Sequence, residues 1–283
     1  MTPLERRRRA AAVLAGAGVP SPAYDADALL AHVLGVDAPR LALVDDVSDE
    51  QTARFEALVA RRAHREPLQH LLGVATFRYV ELAVGPGVFV PRPETELLAG
   101  WAVERALERS HEVDAPVVVD LCTGSGAIAR AVADEVPSAR VYAVELDAAA
   151  HEWAARNLFG TGVELRLGDM AEAFEDLAGG VDVVTCNPPY IPLDAWESVA
   201  PEARDHDPDL ALFSGDDGLA ALRVVAARAA RLLRPGAWVG AEHADVQGDS
   251  APGVFAAAGC FRDVRDHHDL AGRPRYVTAR LAR

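Results

Sequence analysis

The spacing of hydrophobic positions divides the chain into two parts joined by a short connector. Residues 3–72 carry apolar positions at helical spacing and predict several short helices packed as a small bundle. Residues 74–90 change to an alternating pattern that predicts a β-hairpin. From Pro91 onward, short apolar runs alternate with amphipathic stretches. We therefore expect an N-terminal helical bundle, a hairpin connector and a larger domain, at 1–73, 74–90 and 91–283.

Two helix starts can be located inside the bundle. Ser21 followed by Pro22 predicts an N-cap with a proline in the first helical turn. Ser48 with Gln51 predicts a capping box, in which the side chain of each residue bonds the backbone of the other. An amphipathic run follows this second start and continues through Arg65.

The C-terminal part alternates between strands and helices. Strands are predicted at 116–121, 140–145, 163–167, 181–186 and 237–242. Helices are predicted at 94–110, 126–135, 148–158, 217–233 and 246–258. Apolar strands separated by helices are typical of a parallel α/β sheet that is covered on both faces. The tail from Phe261 to Leu281 holds two more strand-like runs, which predict an antiparallel hairpin at the sheet edge.

Composition and charge exclude several classes of protein. The 283 residues are 50% hydrophobic, which is enough for a sizeable core. The net charge of -15 disfavours a generic nucleic-acid binder, because such a surface repels phosphate backbones. No apolar run approaches the ~20 residues that a membrane-spanning helix needs. The arginines at 6–9 are not followed by the combination of an apolar region and a cleavage site that marks a secretory signal, so we expect no such signal.

The cysteines give no sign of a metal site or of disulfide bonds. Cys122, Cys186 and Cys260 are far apart in the sequence and form no C-x-x-C pair. We therefore expect no metal, and the reduced cytoplasm is the simplest location for such a chain.

Asn187-Pro188-Pro189-Tyr190 is the most informative stretch of the sequence. It follows the apolar run 181–186, which reads as a buried strand. Two consecutive prolines cannot continue a sheet, because each lacks an N–H and has a fixed φ. The Asn187 side chain and the Pro188 carbonyl then offer two hydrogen-bond acceptors beside the flat face of Tyr190. This combination suits a planar group that bears an –NH₂.

A second candidate site begins at the end of the predicted strand 116–121. The turn Cys122-Thr123-Gly124-Ser125-Gly126 leads into a helix, so a ligand can approach its backbone and meet free N–H groups. Glu145 ends the next strand, 19 residues after Gly126, where an acid reaches ribose hydroxyls in nucleotide-binding βαβ units. After the third strand, Asp169 could accept a bond from an adenine amine, and Met170 could pack on the ring.

All of these features follow strands of one predicted parallel sheet, at the edge where open α/β sheets bind ligands. The glycine turn alone is weak evidence, because a dinucleotide-binding enzyme could show it too. The spacing G-x-G-x-x-G is absent, since Ile128 and Ala129 stand beyond Gly126. No Walker lysine is present, so nucleoside triphosphate hydrolysis is not expected.

This set of motifs resembles class I S-adenosylmethionine-dependent methyltransferases that modify planar amino or amide nitrogens. A closer resemblance, to the HemK/PrmC family, is carried by the octapeptide Phe-Val-Pro-Arg-Pro-Glu-Thr-Glu at 89–96 together with 187–190. Further matching segments are 69–73, Glu242-His243, Gln247-Gly248 and 269–273. The resemblance covers essentially the whole chain. It implies a Rossmann-like class I methyltransferase fold, with a mostly parallel seven-stranded sheet, an antiparallel C-terminal hairpin and a small N-terminal helical bundle.

The resemblance also implies an activity. Members of the family transfer a methyl group from S-adenosylmethionine to the side-chain nitrogen (N5) of the glutamine in the Gly-Gly-Gln motif of peptide-chain release factors. This methylation modulates translation termination. We expect the N-terminal bundle to recognise the release factor, with no direct contact to nucleic acid or membrane, and we expect a monomer.

The family pattern assigns roles to individual residues of this chain. The cofactor is assigned to Cys122, Thr123, Gly124, Ser125, Gly126, Glu145, Asp169, Met170 and Asn187. The substrate glutamine is assigned to Arg92, Asn187, Pro188, Pro189 and Tyr190, of which Asn187, Pro188 and Tyr190 are the catalytic candidates. Two positions depart from the family pattern: Cys122 stands where the turn usually begins with glycine, and Met170 stands where an aromatic residue is common. Contacts with the adenine ring depend on both.

Two other functions stay open on the residues alone. An N-methyltransferase acting on an exocyclic base amine of DNA or RNA would fit residues 187–190 equally well. The acidic charge and the lack of a basic segment with interspersed aromatic residues argue against it. A catalytically idle cofactor-binding or interaction protein is the third possibility, and the intact 187–190 motif argues against that.

Overall fold

The computed structural model describes residues 2–282 and divides into two compact units. The first unit comprises the described part of Met1–Ala75 together with Val84–Pro86 and Ala200–His206. The second comprises Thr76–Ala83, Gly87–Val199 and the described part of Asp207–Arg283.

The first unit is built from short helices, as the sequence predicts. These are α1 (Pro3–Gly16), α2 (Pro22–Leu34), α3 (Asp49–Ala63) and α4 (Leu68–Leu72), with a 3₁₀ helix at Ala38–Leu43. Apolar side chains from all of them form one core, in which Leu14, Leu29, Leu30 and Phe55 are almost fully buried. The apolar stripes at helical spacing therefore face one another, and their burial supplies the main stabilisation of the unit.

One of the two predicted helix starts is confirmed in full. Ser48 Oγ accepts the Gln51 N–H at 3.2 Å, and Gln51 Oε1 accepts the Ser48 N–H at 3.0 Å, which is the predicted capping box. Helix α2 begins at Pro22 with Ser21 as its N-cap, as predicted, but the Ser21 side chain makes no capping hydrogen bond. The backbone of Ser21 has φ -126° and ψ 60°, outside the extended region in which a serine side chain reaches the first turn.

A buried ion-pair network joins residues 200–206 to the helices of this unit. Arg62 donates to Asp25 at 2.7 Å and to Glu202 at 3.0 Å, and Arg65 donates to both oxygens of Glu202. Arg62 and Asp25 are each 5% exposed. Buried charges are tolerated only when they are paired, so the loss of one partner would leave another uncompensated. No local sequence pattern predicts that residues so far along the chain belong with the bundle.

The second unit contains the predicted alternation of strands and helices. Its main strands are β3 (Val117–Leu121), β4 (Arg140–Glu145), β5 (Glu164–Leu167), β6 (Val181–Cys186), β7 (Leu233–Glu242), β8 (Phe261–His268) and β9 (Pro274–Leu281). The hairpin predicted before them is present as a two-stranded sheet of β1 (Val74–Phe77) and β2 (Val80–Ala83). The later helices of the chain are α5 (Thr95–Ser110), α6 (Ala127–Glu135), α7 (Ala148–Leu158), α8 (Pro201–His206, in the first unit), α9 (Asp209–Leu212), α10 (Ala220–Leu232) and α11 (Ser250–Ala257).

The seven main strands form one sheet in the order β5-β4-β3-β6-β7-β9-β8. The pairs from β5 to β7 are parallel, and β9 pairs antiparallel with both β7 and β8. The predicted parallel sheet and antiparallel C-terminal hairpin are thus confirmed. The chain moves outward from β3 to β5 and then resumes on the other side of β3 with β6, so the strand order reverses between β3 and β6.

Both faces of the sheet are covered, which explains why its central strands are apolar at most positions. On β3, Val117, Val119 and Leu121 pack in one core with residues of α10, whereas Val118 packs in the other core with residues of α5 and α6. Alternate side chains of a strand point to opposite faces, so a strand buried on both faces has a nearly continuous apolar run.

Two predicted boundaries shift. β7 begins at Leu233 rather than at 237, and the helix predicted over 246–258 is a 3₁₀ turn at Asp245–Gln247 followed by α11 from Ser250. Among the described residues, no helix is both long and apolar enough to cross a membrane.

Substitution of Gly240 in β7 should destabilise the sheet, because an added Cβ would lie 2.5 Å from the Trp101 ring and 2.8 Å from Leu98. We expect Gly240→Ala to lower the free energy of unfolding by about 1–3 kcal/mol. Gly253 lies inside α11, where an added Cβ meets no atom within 4 Å, so Gly253→Ala should instead stabilise by about 0.4–1 kcal/mol. Urea unfolding of both variants measures the two effects, and equal effects would contradict the packing described here.

Candidate active site

A cavity that opens to solvent lies at the carboxyl ends of β3, β4, β5 and β6. It therefore lies where the strand order reverses, which is where open α/β sheets bind ligands. Most of the residues singled out from the sequence line it together: Cys122, Thr123, Gly124, Ser125, Glu145, Asp169, Met170, Asn187, Pro189 and Tyr190.

Other lining residues were not assigned from the sequence. Phe89, Pro91 and Thr95 lie inside the octapeptide motif at 89–96, so the motif itself was the available signal. The rest are Ala127, Ile128, Val144, Leu146, Asp147, Ala150, Gly168, Ile191, Pro208, Leu210, Ala211 and Leu212. Residues 208–212 were missed because nothing in their local pattern indicates that they fold back towards the ends of the strands.

The small-residue turn after β3 is held in shape by the carboxylate of Glu145. Gly124 has φ +58°, a conformation that favours glycine, and its N–H donates to Glu145 Oε2 at 2.8 Å. The Asp147 N–H donates to Oε1 of the same carboxylate at 2.9 Å. Burial raises the pKa of Glu145, although these backbone donors oppose the shift. One side chain thus links the end of β4 to the turn after β3.

The two departures from the family pattern contact each other. Cys122 adopts φ +56°, a left-handed conformation that is uncommon for a residue with a Cβ. Its Sγ lies 3.3 Å from Met170 Sδ, at thiol-to-thioether hydrogen-bond distance. Both are soft, polarisable side chains, so together they form a continuous sulfur-rich part of the cavity wall.

Three residues assigned from the sequence are not among those that line the cavity. Gly126 has φ +86° and starts α6, and a Cβ there would come within 3.0 Å of Leu158, so packing accounts for this glycine. Pro188 is buried. The Arg92 side chain donates to Asp207 Oδ2 at 2.6 Å and lies over the Phe89 ring, with its guanidinium carbon 4.7 Å from the ring centroid.

Asp120, inside β3, was missed by the sequence reading. It is 1% exposed and accepts bonds from Thr123 Oγ1 at 2.6 Å and Thr185 Oγ1 at 2.9 Å. Burial raises its pKa to about 7. An acid within an otherwise apolar strand was the available signal, since such a residue is rarely buried without a partner. Its bonds connect the turn after β3 to strand β6.

Asn187 is joined to a buried carboxylate through Thr95. Its Nδ2 donates to Thr95 Oγ1 at 3.3 Å, and Thr95 Oγ1 donates to Glu242 Oε2 at 2.7 Å. The Tyr190 hydroxyl lies 3.4 Å from Glu242 Oε1 and donates to it. Glu242 ends β7 and is 1% exposed. Burial raises the pKa of Glu242 to about 7 and also raises that of Tyr190, which faces this carboxylate.

The backbone of the 187–190 segment is fixed from a different direction. Gln247 Nε2 donates to the Tyr190 carbonyl at 3.1 Å. A Cβ on Gly218, which has φ +70°, would lie 2.3 Å from the same oxygen, so only glycine fits there. Gln247 belongs to a segment that the sequence indicated only through its resemblance to the family.

The electrostatic character of the cavity is acidic. Glu145, Asp147 and Asp169 line it, and none of its lining residues is Arg, Lys or His. A nucleotide with several phosphates would be repelled by such a wall, whereas a nucleoside that carries positive charge would be attracted.

Comparisons with known proteins identify the family. Residues 5–73 match the PrmC N-terminal domain, and residues 118–206 match a methyltransferase domain. The chain is 56% identical over 269 residues to a release factor glutamine methyltransferase of Streptomyces coelicolor, covering 95% of this chain and 94% of that protein. The chain belongs to the release factor glutamine methyltransferase family. The resemblance noted in the sequence is thereby confirmed, and with it the assignment to the S-adenosylmethionine-dependent methyltransferases.

Two further matches show how the family varies and how its fold recurs. A 4-amino-L-phenylalanine/4-methylamino-L-phenylalanine methyltransferase of Streptomyces pristinaespiralis is 43% identical over 250 residues, covering 87% of this chain and 84% of that one. The hMettl16 catalytic domain, solved in complex with the MAT2A 3'UTR hairpin 6, superposes with a TM-score of 0.56 over 84% of both chains. At 13% identity this second likeness concerns the fold alone, which is the predicted class I methyltransferase fold.

S-adenosylmethionine, the methyl donor of this family, fits the residues of the cavity. The donor carries a sulfonium and an ammonium group, and the acidic wall with no basic side chain suits that charge. The backbone at Gly124 is open, because a Cβ there would meet no protein atom within 4 Å. Met170 and Ile128 add apolar side chains to the cavity lining, and such lining suits a purine ring.

Glu242 should make the stability of the protein depend on pH. In the unfolded chain its carboxyl loses a proton near the ordinary value of 4.5, whereas in the folded protein it keeps the proton up to about pH 7. Between these values the folded state binds the extra proton, so its stability falls as the pH rises. Relative to Glu242→Gln, which does not titrate, the wild type should lose on the order of 1–3 kcal/mol between about pH 5 and pH 8. Urea unfolding at both pH values measures this change, and a constant difference between the two proteins would contradict it.

Proposed function

We propose that this protein transfers a methyl group from S-adenosylmethionine to the glutamine N5 in the Gly-Gly-Gln motif of peptide-chain release factors, and so modulates translation termination. The observation that carries the proposal is that Asn187 and Tyr190 line the same cavity as the turn at 122–125 and Glu145. A carboxamide site and a nucleoside site are then adjacent. Family membership supports the same conclusion, since relatives across most of the chain length are named for this reaction.

The chemical difficulty is the weak nucleophile. The lone pair of an amide nitrogen is shared with the carbonyl, and the rotational barrier of ~18–20 kcal/mol reflects that resonance. In our proposal, Asn187 Oδ1 and the Pro188 carbonyl each accept one N–H of the substrate carboxamide. Two fixed acceptors favour the pyramidal nitrogen and direct its lone pair away from both of them.

Orientation supplies most of the proposed rate enhancement. S-adenosylmethionine provides a methyl group on a positively charged sulfur, which needs no further activation. Pro188 and Pro189 stiffen the segment that holds the acceptors. The partly buried Tyr190 ring packs on the glutamine side chain and excludes water. Alignment of this kind contributes as much as ~7–11 kcal/mol in favourable cases. No residue is assigned as a general base, and the proton passes to water after the transfer.

Around the donor we propose roles that follow the positions in the cavity. Glu145 accepts bonds from the ribose hydroxyls, the turn at 122–126 lies against the donor's methionine part, and Asp169 with Met170 contacts the adenine. Cys122 and Met170 together replace the glycine and the aromatic residue of the common pattern, and their mutual contact supports this. Arg92 stays assigned to the substrate, from its position beside Phe89 and Asp207.

The bundle at 1–73 is proposed to recognise the release factor. The match of residues 5–73 to the PrmC N-terminal domain supports a separate module there, and the predicted divisions at 73 and 90 stay predictions. A cytoplasmic location, a monomeric state and the absence of direct nucleic-acid contact stay predictions.

Methylation of a release factor by the purified protein tests the activity. With S-adenosylmethionine, the wild type should add the mass of one methyl group to the peptide that contains Gly-Gly-Gln. Asn187→Ala should slow this by on the order of 100-fold, because it removes one acceptor, while it still binds the donor. Mass spectrometry of the digested release factor gives the readout. A release factor with Asn in place of that glutamine is the control for site selectivity.

The same assay separates the proposed function from its alternatives. The arylamine substrate named for the Streptomyces pristinaespiralis relative also presents an –NH₂ on a planar group, so 4-amino-L-phenylalanine belongs in a parallel reaction. Turnover of that amine with no methylation of the release factor would overturn the proposal. Methylation of DNA or RNA without methylation of the release factor would favour the nucleic-acid alternative. The absence of methyl transfer to every acceptor tested would favour an idle cofactor-binding protein.

The role of Glu145 is tested by binding of the donor. Glu145→Gln keeps the size of the side chain but removes the charge and one acceptor, so the affinity for S-adenosylmethionine should fall by on the order of 10-fold. Glu164→Gln is the matched control, because Glu164 is exposed on β5 and does not line the cavity. Isothermal titration calorimetry compares the three proteins, and equal dissociation constants would remove Glu145 from the donor site.

A further inference from the structure

The orientation of the Asn187 amide decides whether the proposed carboxamide pocket offers an acceptor or a donor. Its Nδ2 donates to Thr95 Oγ1 at 3.3 Å. Because the oxygen and the nitrogen occupy opposite ends of a planar amide, holding Nδ2 against Thr95 also fixes the direction of Oδ1. The reverse orientation would turn the –NH₂ group into the cavity, where it would meet the –NH₂ of the substrate, donor against donor.

Thr95 can act as the acceptor for Asn187 only if its own proton is used elsewhere. A hydroxyl has one hydrogen, and that of Thr95 goes to Glu242 Oε2 at 2.7 Å. Thr95 is 4% and Glu242 1% exposed, so bulk water does not compete for these bonds. An ionised carboxylate is acceptor-only. Glu242 therefore sets the donor-to-acceptor direction of this series of hydrogen bonds, which runs from Asn187 through Thr95 to Glu242.

The same carboxylate also holds the other polar side chain of the motif. The Tyr190 hydroxyl donates to Glu242 Oε1 at 3.4 Å. One buried acid at the end of β7 thus bonds Tyr190 directly and Asn187 through Thr95, although β7 contributes no residue to the cavity wall.

We propose that Glu242 and Thr95 are positioning residues for methyl transfer, which set the hydrogen-bond polarity of the substrate pocket by orienting Asn187 and Tyr190. This inference rests on the function proposed above. It adds two residues, on α5 and β7, whose effect is on the orientation of Asn187 and not on the binding of the donor.

The direction of these hydrogen bonds depends on whether Glu242 is ionised, and several polar and charged groups face its carboxyl group. Thr95 faces it from α5, Tyr190 from the segment after β6 and Arg275 from β9, and Glu94 adds a like charge nearby. Arg275 is shared with Asp269, whose Oδ2 lies 3.3 Å from its guanidinium. A protonated Glu242 carries a hydrogen of its own and can donate to Thr95, which frees the Thr95 proton to turn towards Asn187. Acid conditions should therefore reduce turnover before they reduce binding of the donor.

Variants of Thr95 test the inference most directly. Thr95→Val keeps the shape but removes the hydroxyl, so kcat for the release factor should fall on the order of 10- to 100-fold, as misplacement of a reacting group does. The dissociation constant of S-adenosylmethionine should stay unchanged. Thr95→Ser restores a hydroxyl and should recover most of kcat. Thermal unfolding of all three proteins checks that they fold.

A second variant separates polarity from packing. In the wild type, kcat should fall as the pH is lowered through about 7, the range in which Glu242 gains a proton. Glu242→Gln still offers an oxygen to Thr95 but does not titrate, so its kcat should be lower and independent of pH over that range.

The outcomes distinguish this inference from the function on which it rests. Failure of the wild type to methylate the release factor overturns both. Normal turnover by Thr95→Val, with an active wild type, overturns only the inference. So does a Thr95→Ser protein as slow as Thr95→Val, because that result would assign the effect to packing of the methyl group. If kcat of Glu242→Gln still falls as the pH is lowered through about 7, Glu242 does not set the direction of these hydrogen bonds.

Discussion

Three buried carboxylates hold the loops that form the cavity, and the rest of the site depends on them. Asp120 on β3 bonds Thr123 and Thr185, Glu145 at the end of β4 bonds the turn at Gly124, and Glu242 at the end of β7 bonds Thr95 and Tyr190. A carboxylate removed from water is costly unless donors surround it. Each loop supplies those donors, so the chain segments near the sheet edge have one favourable arrangement.

This arrangement also explains how acidic side chains serve a positively charged ligand and a neutral amide in one cavity. Glu145 lines the cavity and accepts bonds from backbone N–H groups. Glu242 does not line the cavity and contacts it through Thr95 and Tyr190. Burial raises the pKa of both. The two carboxylates have different roles. Glu145 fixes a backbone turn, whereas Glu242 fixes the direction of side-chain hydrogen bonds.

The positions of the main strands and helices of the second unit were predictable because strands buried on both faces are mostly apolar along their length, and amphipathic helices have an apolar stripe. The strand ends at 122, 145, 169 and 187 were predictable for the same reason, and they meet because parallel strands all end at one edge. The contact between Cys122 and Met170 was not, since each residue was read as a separate departure from a pattern.

The sequence by itself determined the order of elements, the family, the residues of the glycine turn and the proline-braced motif at 187–190, because local spacing and local backbone chemistry encode them. Only the tertiary structure decided that Glu242, Thr95, Asn187 and Tyr190 form one hydrogen-bonded group, and that residues 200–206 pack with the bundle through Glu202. The physical reason is distance along the chain. Hydrogen bonds and ion pairs between residues 50 to 150 positions apart leave no periodicity in a sequence. The partners are buried together only after the sheet has formed.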